Sequence, residues 1–165
     1  MSTKLYDSKI DLSAEVREKV IGILNVTLAT TIDLKTQTKQ AHWNVRGVHF
    51  YSFHKMFDEM AVQLEEFVDM VAERVTALGG VALGTARVAS QNSLLPEYPS
   101  EITEGIQHVA ALAERYAIYA AHLRDAIAKT DELGDADTAD LYTEISRAVD
   151  KHLWFLEAHL HSPGG

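Results

Sequence analysis

Between residues 52 and 78 apolar side chains recur at steps of three and four positions, and two glycines follow at once. The stripe consists of Phe53, Phe57, Met60, Leu64, Phe67, Val68, Val71, Val75 and Leu78. A repeat near 3.6 residues predicts a long amphipathic helix with one face to bury. Gly79 and Gly80 stand where glycine commonly ends helices. Any fold of this chain must therefore cover the apolar face of one long helix.

Three further segments have the same helical periodicity. They run from Ser13, placed as an N-cap, to about residue 40, from Ser100 to Lys129, and from a capping pair, Asp137 and Asp140, to His161. Residues 81–99 mix Gly, Ser, Asn and Pro with short apolar runs, which predicts a long crossover with room for one short helix. A connection of that length lets the second and third long helices run parallel. Four helices with one long crossover predict an all-α, ferritin-like four-helix bundle.

Length and composition narrow the class of protein. The chain has 165 residues, enough for one core and too few for two, so we place a single bundle at residues 13–161 between short tails at 1–12 and 162–165. The net charge of −9 should attract cations and repel phosphate backbones. The lack of cysteine excludes disulfides and thiolate metal sites. Without a signal segment or a membrane-spanning run, we expect a cytoplasmic protein with no membrane partner.

The second helix also carries a polar stripe, formed by His54, Asp58, Asp69 and Glu73. At roughly 100° per residue these four lie within an arc of about 100°, well away from the apolar stripe. His54 with Asp58, and Asp69 with Glu73, are i, i+4 pairs, a spacing that lets side chains on adjacent turns share one metal ion. Such pairs are also common on solvated helix faces, so each pair alone is half a site.

One chain cannot bring the two pairs together. They are separated along the helix axis by roughly 16 Å at ~1.5 Å rise per residue, whereas ligands lie about 2 Å from an ion. Two copies of the helix packed antiparallel about a two-fold axis near Gln63 and Leu64 would join the first pair of one copy to the second pair of the other, twice over. His42, in the connector after the first helix, would complete each site, although alone it reads as a surface histidine. Two imidazoles and three carboxylates suit ferrous iron, with zinc as a competitor.

Five stretches of the chain carry more specific motifs. They are TKQAHWNVRG at residues 38–47, HKMFD at 54–58, DMVAER at 69–74, LGGVALGT at 78–85 and DKHLWFLE at 150–157. Together they resemble the mini-ferritins called Dps, DNA-binding proteins from starved cells, over nearly the whole chain. The resemblance implies a two-iron ferroxidase centre with His42, His54 and Asp58 from one subunit and Asp69 and Glu73 from its neighbour, and all five residues are present.

The resemblance also implies an assembly and a reaction. Twelve subunits of such a protein form a hollow shell with ferroxidase sites at two-fold interfaces. The shell binds Fe(II), oxidises it preferentially with hydrogen peroxide and stores the ferric mineral, which protects DNA and the cell from oxidative damage. By the same resemblance the protein is bacterial and acts in the cytoplasm, where it can associate with the nucleoid.

A few further residues are candidates for supporting roles. Asp135, Asp140 and Glu144 resemble the acidic residues that line the iron entry pore around a three-fold axis, although two of them also suit the N-terminal dipole of a helix. Trp43, beside His42, could intercept a stray oxidising equivalent, as could Tyr116 and Tyr119, yet aromatics at such spacing are more often core. His159 and His161 suit either an extra metal site or a helix C-terminus.

Three other interpretations remain open from the sequence. A nucleoid-condensing protein usually carries a mobile, lysine-rich tail, whereas the first twelve residues offer only Lys4 and Lys9 with two aspartates between and after them, so we predict weak or absent duplex binding. A purely structural helical bundle would be a monomer or simple dimer without metal chemistry. Larger ferritins carry Glu-x-x-His on helices of one bundle, and this sequence contains no Glu-x-x-His.

Overall fold

The computed structural model describes residues 4–161, and all regular secondary structure in that range is helical. The helices are α1 (Ala14–Asn44), α2 (Phe50–Ala77), α3 (Ala86–Asn92), α4 (Gly105–Glu132) and α5 (Ala136–Leu160). The all-α bundle with a short helix in the crossover is confirmed. The first three residues and the predicted C-terminal tail, 162–165, lie outside the described residues. Across residues 4–161 no helix has both the length and the apolarity that crossing a bilayer requires.

Side-chain contacts give the directions of the long helices. Thr27 of α1 meets His122 of α4, and ten residues further along α1, Gln37 meets Arg115. Residue numbers therefore rise on α1 as they fall on α4, which makes these helices antiparallel. The short connector at residues 45–49 also makes α2 antiparallel to α1. Consequently α2 and α4 run parallel, as the long crossover predicts.

Two predicted boundaries are wrong because contacts distant in sequence decide them. α1 is capped by Ser13 as predicted, but it continues to Asn44, so His42 lies in its last turn and not in a connector. α4 begins at Gly105 and not near Ser100. The backbone of Arg46 accepts the Gly105 N–H at 3.2 Å and donates to the Thr103 carbonyl at 3.0 Å, which keeps this stretch extended.

The predicted capping pair of the last helix, Asp137 and Asp140, is also wrong. Asp135 is the N-cap of α5, and its carboxylate accepts the Thr138 N–H at 3.0 Å. Asp137 instead lies in the first turn, where a negative charge suits the helix dipole. The cap is set by Asp135 because its carboxylate is buried and held from the other side by Arg74.

Three tyrosines lie inside the bundle, and each phenol meets a threonine of α1. The pairs are Tyr142 with Thr27 at 2.7 Å, Tyr119 with Thr31 at 2.6 Å, and Tyr116 with Thr38 at 3.3 Å. Each threonine hydroxyl donates to the carbonyl four residues earlier, so the phenol is the donor in each pair. Burial raises the pKa of all three phenols. These bonds satisfy buried hydroxyls and fix the register of α1 against α4 and α5.

The non-helical residues before α1 lie against the far end of α2. Tyr6 donates its N–H to the Gly79 carbonyl at 2.8 Å, and the buried Arg17 guanidinium donates to the carbonyls of Tyr6 and Leu78. Gly79 has φ +87°, and a Cβ there would come within 2.6 Å of the Tyr6 oxygen. The first glycine of the pair thus both ends α2 and admits the N-terminal segment.

Candidate metal centre

His42 and His54 form a stacked pair where the end of α1 meets the start of α2. Their ring centroids lie 3.8 Å apart with an interplanar angle of 21°. The Nδ1 of His42 bonds to the His54 carbonyl at 2.7 Å, and the Nδ1 of His54 bonds to the His42 carbonyl at 2.9 Å. A carbonyl only accepts, so Nδ1 carries a proton in both rings, and in the neutral form of each ring Nε2 has the free lone pair. Histidines that bind metals typically have this arrangement, with the second nitrogen bonded to a carbonyl or carboxylate.

Asp58 lies one turn after His54 and beside the same pair. Its Oδ1 is 3.9 Å from the Nε2 of His42 and accepts a hydrogen bond from the Nζ of Lys39 at 2.8 Å. The Lys39 ammonium holds the pKa of the Asp58 carboxyl below its usual range. The carboxylate is therefore charged, and a protein cation rests on the atom that a metal ion would need.

Asp69 and Glu73 lie near the other end of α2 with exposed side chains. Neither carboxylate has a hydrogen-bond or ion-pair partner in residues 4–161, in contrast to Asp58. Nowhere in that range do three potential ligands come close enough to hold an ion. A site that uses all five predicted ligands therefore needs a second copy of the chain.

The predicted pore residues fall into two groups. Asp135 is 2% exposed and pairs with Arg74 at 2.8 Å, so its carboxylate is occupied within the bundle. Asp140 and Glu144 are exposed, one turn apart on α5. Of the three predicted pore residues, Asp140 and Glu144 have carboxylates that face solvent and Asp135 does not.

The aromatic candidates and the C-terminal histidines differ in exposure and in their contacts. Trp43 is 66% exposed beside the histidine pair, and the Nζ of Lys39 lies 5.7 Å from its ring centroid, whereas Tyr116 and Tyr119 are buried core. The Nδ1 of His159 donates to the carbonyl four residues earlier at 2.6 Å. His161 is the exposed C-cap of α5, so both histidines occupy the helix end that favours them.

Lys39 is a functional residue that the sequence motifs alone do not indicate, although it stands three residues before His42 on the same side of α1. The spacing could have indicated that Lys39 lies near the metal centre, because residues three apart are neighbours on a helix surface. The sequence does not show that Asp58 is the partner of Lys39, because the two side chains meet only when α2 packs against α1.

Comparisons with known proteins agree with this fold. A family profile described as a ferritin-like domain matches residues 21–162. The DNA protection during starvation protein of Agrobacterium fabrum is 46% identical over 157 residues, which is 95% of this chain and 97% of that protein. The structure is similar to that of DpsA14 from Streptomyces coelicolor, with a TM-score of 0.94, 32% identity and coverage of 100% and 98% of the two chains. Mycobacterium smegmatis Dps gives a TM-score of 0.92 at 31% identity, covering 97% and 96%.

Proposed function

The chain belongs to the Dps family of ferritin-like proteins, and from this membership we propose that it is a ferroxidase that stores iron and protects the cell from oxidative damage. Fe(II) is the substrate, hydrogen peroxide the preferred oxidant, and a hollow shell of twelve subunits the container of the ferric product. The proposal is carried by the stacked His42 and His54 rings, which both bond to a carbonyl through Nδ1. The Nε2 of His42 lies 3.9 Å from the charged Asp58 carboxylate.

The spacing along α2 supports a site shared by two subunits. Asp58 and Asp69 lie equally far from the midpoint between Gln63 and Leu64, and so do His54 and Glu73. An antiparallel pair with its two-fold axis at that midpoint therefore places each ligand opposite its proposed counterpart. One pairing geometry satisfies both halves of the site at once.

The surface around this midpoint also supports contact with a second copy. Val62 is 59% exposed on the same side of α2, and a groove of about 270 Å³ runs beside it between α1 and α2. Trp43 and Tyr51 are 66% and 71% exposed at the end that carries the histidine pair. Clustered exposed apolar side chains are typical of interfaces between proteins.

The five residues would divide the chemistry between the subunits. His42, His54 and Asp58 bind Fe(II) from one side, and Asp69 and Glu73 add carboxylates from the neighbour. Three carboxylates favour the ferric product, since negative ligands stabilise the higher charge. Two Fe(II) ions give one electron each, and peroxide with two protons becomes two waters, so no hydroxyl radical is released. Zinc accepts the same imidazole and carboxylate ligands and is expected to compete.

Iron entry is proposed to use the exposed carboxylates of α5. Asp140 and Glu144 are one turn apart, and copies of them around a three-fold axis would line a negative passage. Asp135 does not take part in this proposal, because its carboxylate caps α5 and pairs with Arg74.

The nucleoid-condensing alternative is not favoured. The segment that carries Lys4 and Lys9 is tied to Gly79 through Tyr6, and Lys4 packs over the Tyr6 ring at 4.5 Å. With a net charge of −9 per chain, phosphate contacts would be few. The name of the relative from A. fabrum speaks of DNA protection, and we propose that this chain protects by removing Fe(II) and peroxide.

The test of this function is an anaerobic Fe(II) titration of the assembled protein followed by a peroxide pulse. We expect about two Fe(II) oxidised for each peroxide consumed, because paired irons supply both electrons. A spin trap added to the same reaction should detect little hydroxyl radical. Consumption of one Fe(II) per peroxide with strong radical trapping would contradict the proposal.

Replacing Lys39 by Met is expected to tighten Fe(II) binding by up to about fivefold, because the solvent-exposed ion pair of Lys39 with Asp58 is weak and its loss frees the carboxylate. The ammonium no longer competes for the Asp58 carboxylate. Lys35→Met is the matched control, since Lys35 pairs with Glu65, which is not a predicted ligand. Anaerobic titration calorimetry measures both variants. Equal affinities in the two variants would rule out competition by Lys39.

A further inference from the structure

A buried ion pair joins the end of α2 to the start of α5. The Nη2 of Arg74 lies 2.8 Å from Asp135 Oδ1, and its Nε donates to Thr138 Oγ1, also at 2.8 Å. Thr138 Oγ1 in turn donates to Asp135 Oδ2 at 2.6 Å. Asp135 is 2% exposed and Thr138 fully buried. The three side chains thus form a closed set of directed bonds in which the guanidinium has one orientation.

This set is the polar connection between α2 and α5. Among the described residues no other side chain of α2 hydrogen-bonds to α5 or to its cap. Arg74 follows Glu73 directly, so its side chain points roughly 100° away around the helix. Fixing the guanidinium therefore fixes the rotation of the turn that carries Glu73, with Asp69 little more than one turn earlier.

The two halves of the candidate metal centre differ in how they are held. His42 and His54 bond to each other's backbone, and Lys39 holds Asp58. Asp69 and Glu73 have no such partner within residues 4–161. Their position depends on the placement of the backbone of α2, which at this end is held by Arg17 and Tyr6 on one side and by the α5 contact on the other.

We infer that Arg74, Asp135 and Thr138 form a positioning clamp for Asp69 and Glu73. The clamp presents these carboxylates to the histidine pair of the neighbouring subunit, and the inference rests on the proposed function. The same contact holds the first turns of α5, which carry Asp140. Asp135 is thus a residue that orients ligands and not one that meets iron itself.

The substitution Asp135→Asn tests the role of Asp135 in the clamp without removing its role as the N-cap of α5. Asparagine keeps an oxygen for the Thr138 N–H and is as good an N-cap as aspartate, but it removes the charge that holds Arg74. We expect the assembled variant to bind Fe(II), and Co(II) as a spectroscopic probe, severalfold more weakly. The effect should be smaller than the 10- to 100-fold cost of losing a group bonded directly to a metal ligand, because the clamp acts only through the backbone of α2. The half-saturating Fe(II) concentration for oxidation should rise by the same factor.

If the clamp residues only stabilised the fold, any substitution that destabilises α5 equally should weaken Co(II) binding equally. Val149→Ala, at a buried position of α5 away from the clamp, is the control for loss of stability. It should lower the melting temperature at least as much as Asp135→Asn while leaving Co(II) affinity and its absorption spectrum unchanged. Should Asp135→Asn fail to assemble, Thr138→Val removes only the bridging hydroxyl and should still weaken Co(II) binding severalfold.

The outcomes are distinguishable. Wild-type affinity in Asp135→Asn or Thr138→Val, or equal loss of affinity in Val149→Ala, would overturn the clamp and leave the ferroxidase proposal standing. A wild-type shell that neither binds Co(II) nor oxidises Fe(II) would overturn the ferroxidase proposal and the clamp with it. Weaker binding confined to the clamp variants supports the inference.

Discussion

Asp58→Ala is expected to slow Fe(II) oxidation by at least about a hundredfold, since even the loss of an outer partner of a metal ligand costs 10- to 100-fold. The substitution removes the Asp58 carboxylate, whose Oδ1 lies 3.9 Å from the Nε2 of His42. It also leaves the Lys39 ammonium without its partner. An unpaired cation at that position would repel an incoming Fe(II) and add to the loss.

The measurement is stopped-flow oxidation of Fe(II) by peroxide, with light scattering to establish that the shell is assembled. Glu65→Ala is the matched control, because Glu65 is an exposed carboxylate of α2 that pairs with Lys35 but is not a predicted ligand. A double variant, His42 and His54 both changed to Ala, should slow the reaction similarly. Oxidation in Asp58→Ala as fast as in Glu65→Ala would remove Asp58 from the centre.

Acid is expected to destabilise the fold through His152 by up to about 3 kcal/mol. Burial, and to a lesser degree Lys151, lowers the pKa of His152 from 6.5 to about 4. Its Nδ1 is buried without a partner among the described residues. Because the unfolded chain takes up this proton near pH 6.5 and the folded chain does so only near pH 4, stability is lost as the pH falls between those values.

The test compares unfolding by denaturant at pH 7 and pH 4.5 for the wild type and His152→Leu. The variant cannot bind the proton, so its stability should fall less over this range, while the carboxylates contribute equally to both proteins. His161→Gln, at an exposed end of α5, should behave as the wild type. Parallel pH dependences for wild type and His152→Leu would contradict the assignment.

Much of the bundle could be predicted because its elements are set by local periodicity. The apolar stripe and the glycine pair predict α2 closely, and Ser13 predicts the start of α1. The start of α4 cannot be predicted from the local sequence, because Arg46, almost sixty residues earlier, holds the segment before α4 extended. The N-cap of α5 cannot be predicted locally for a similar reason. Asp135 is held in the capping position by its ion pair with Arg74, which is distant in sequence.

The candidate site divides in the same way. Spacing alone places His54, Asp58, Asp69 and Glu73 on one side of α2, and this much follows from the helical repeat. The position of His42 within α1, the reciprocal bonds of the two histidines and the role of Lys39 arise only when α1 and α2 pack together. These contacts join residues of two different helices, and no local pattern encodes them.

Complementation between subunits tests the shared centre most directly. Asp58→Ala damages one half of each site, and a Glu73→Ala chain damages the other, so a shell built from either variant alone should be inactive. In a mixed pair one of the two sites would take His42, His54 and Asp58 from the Glu73→Ala chain and Asp69 and Glu73 from the Asp58→Ala chain, and would be intact. Random co-assembly should therefore restore about a quarter of wild-type oxidation. Mixed shells that remain as inactive as the single variants would show that the five residues do not meet across a subunit interface.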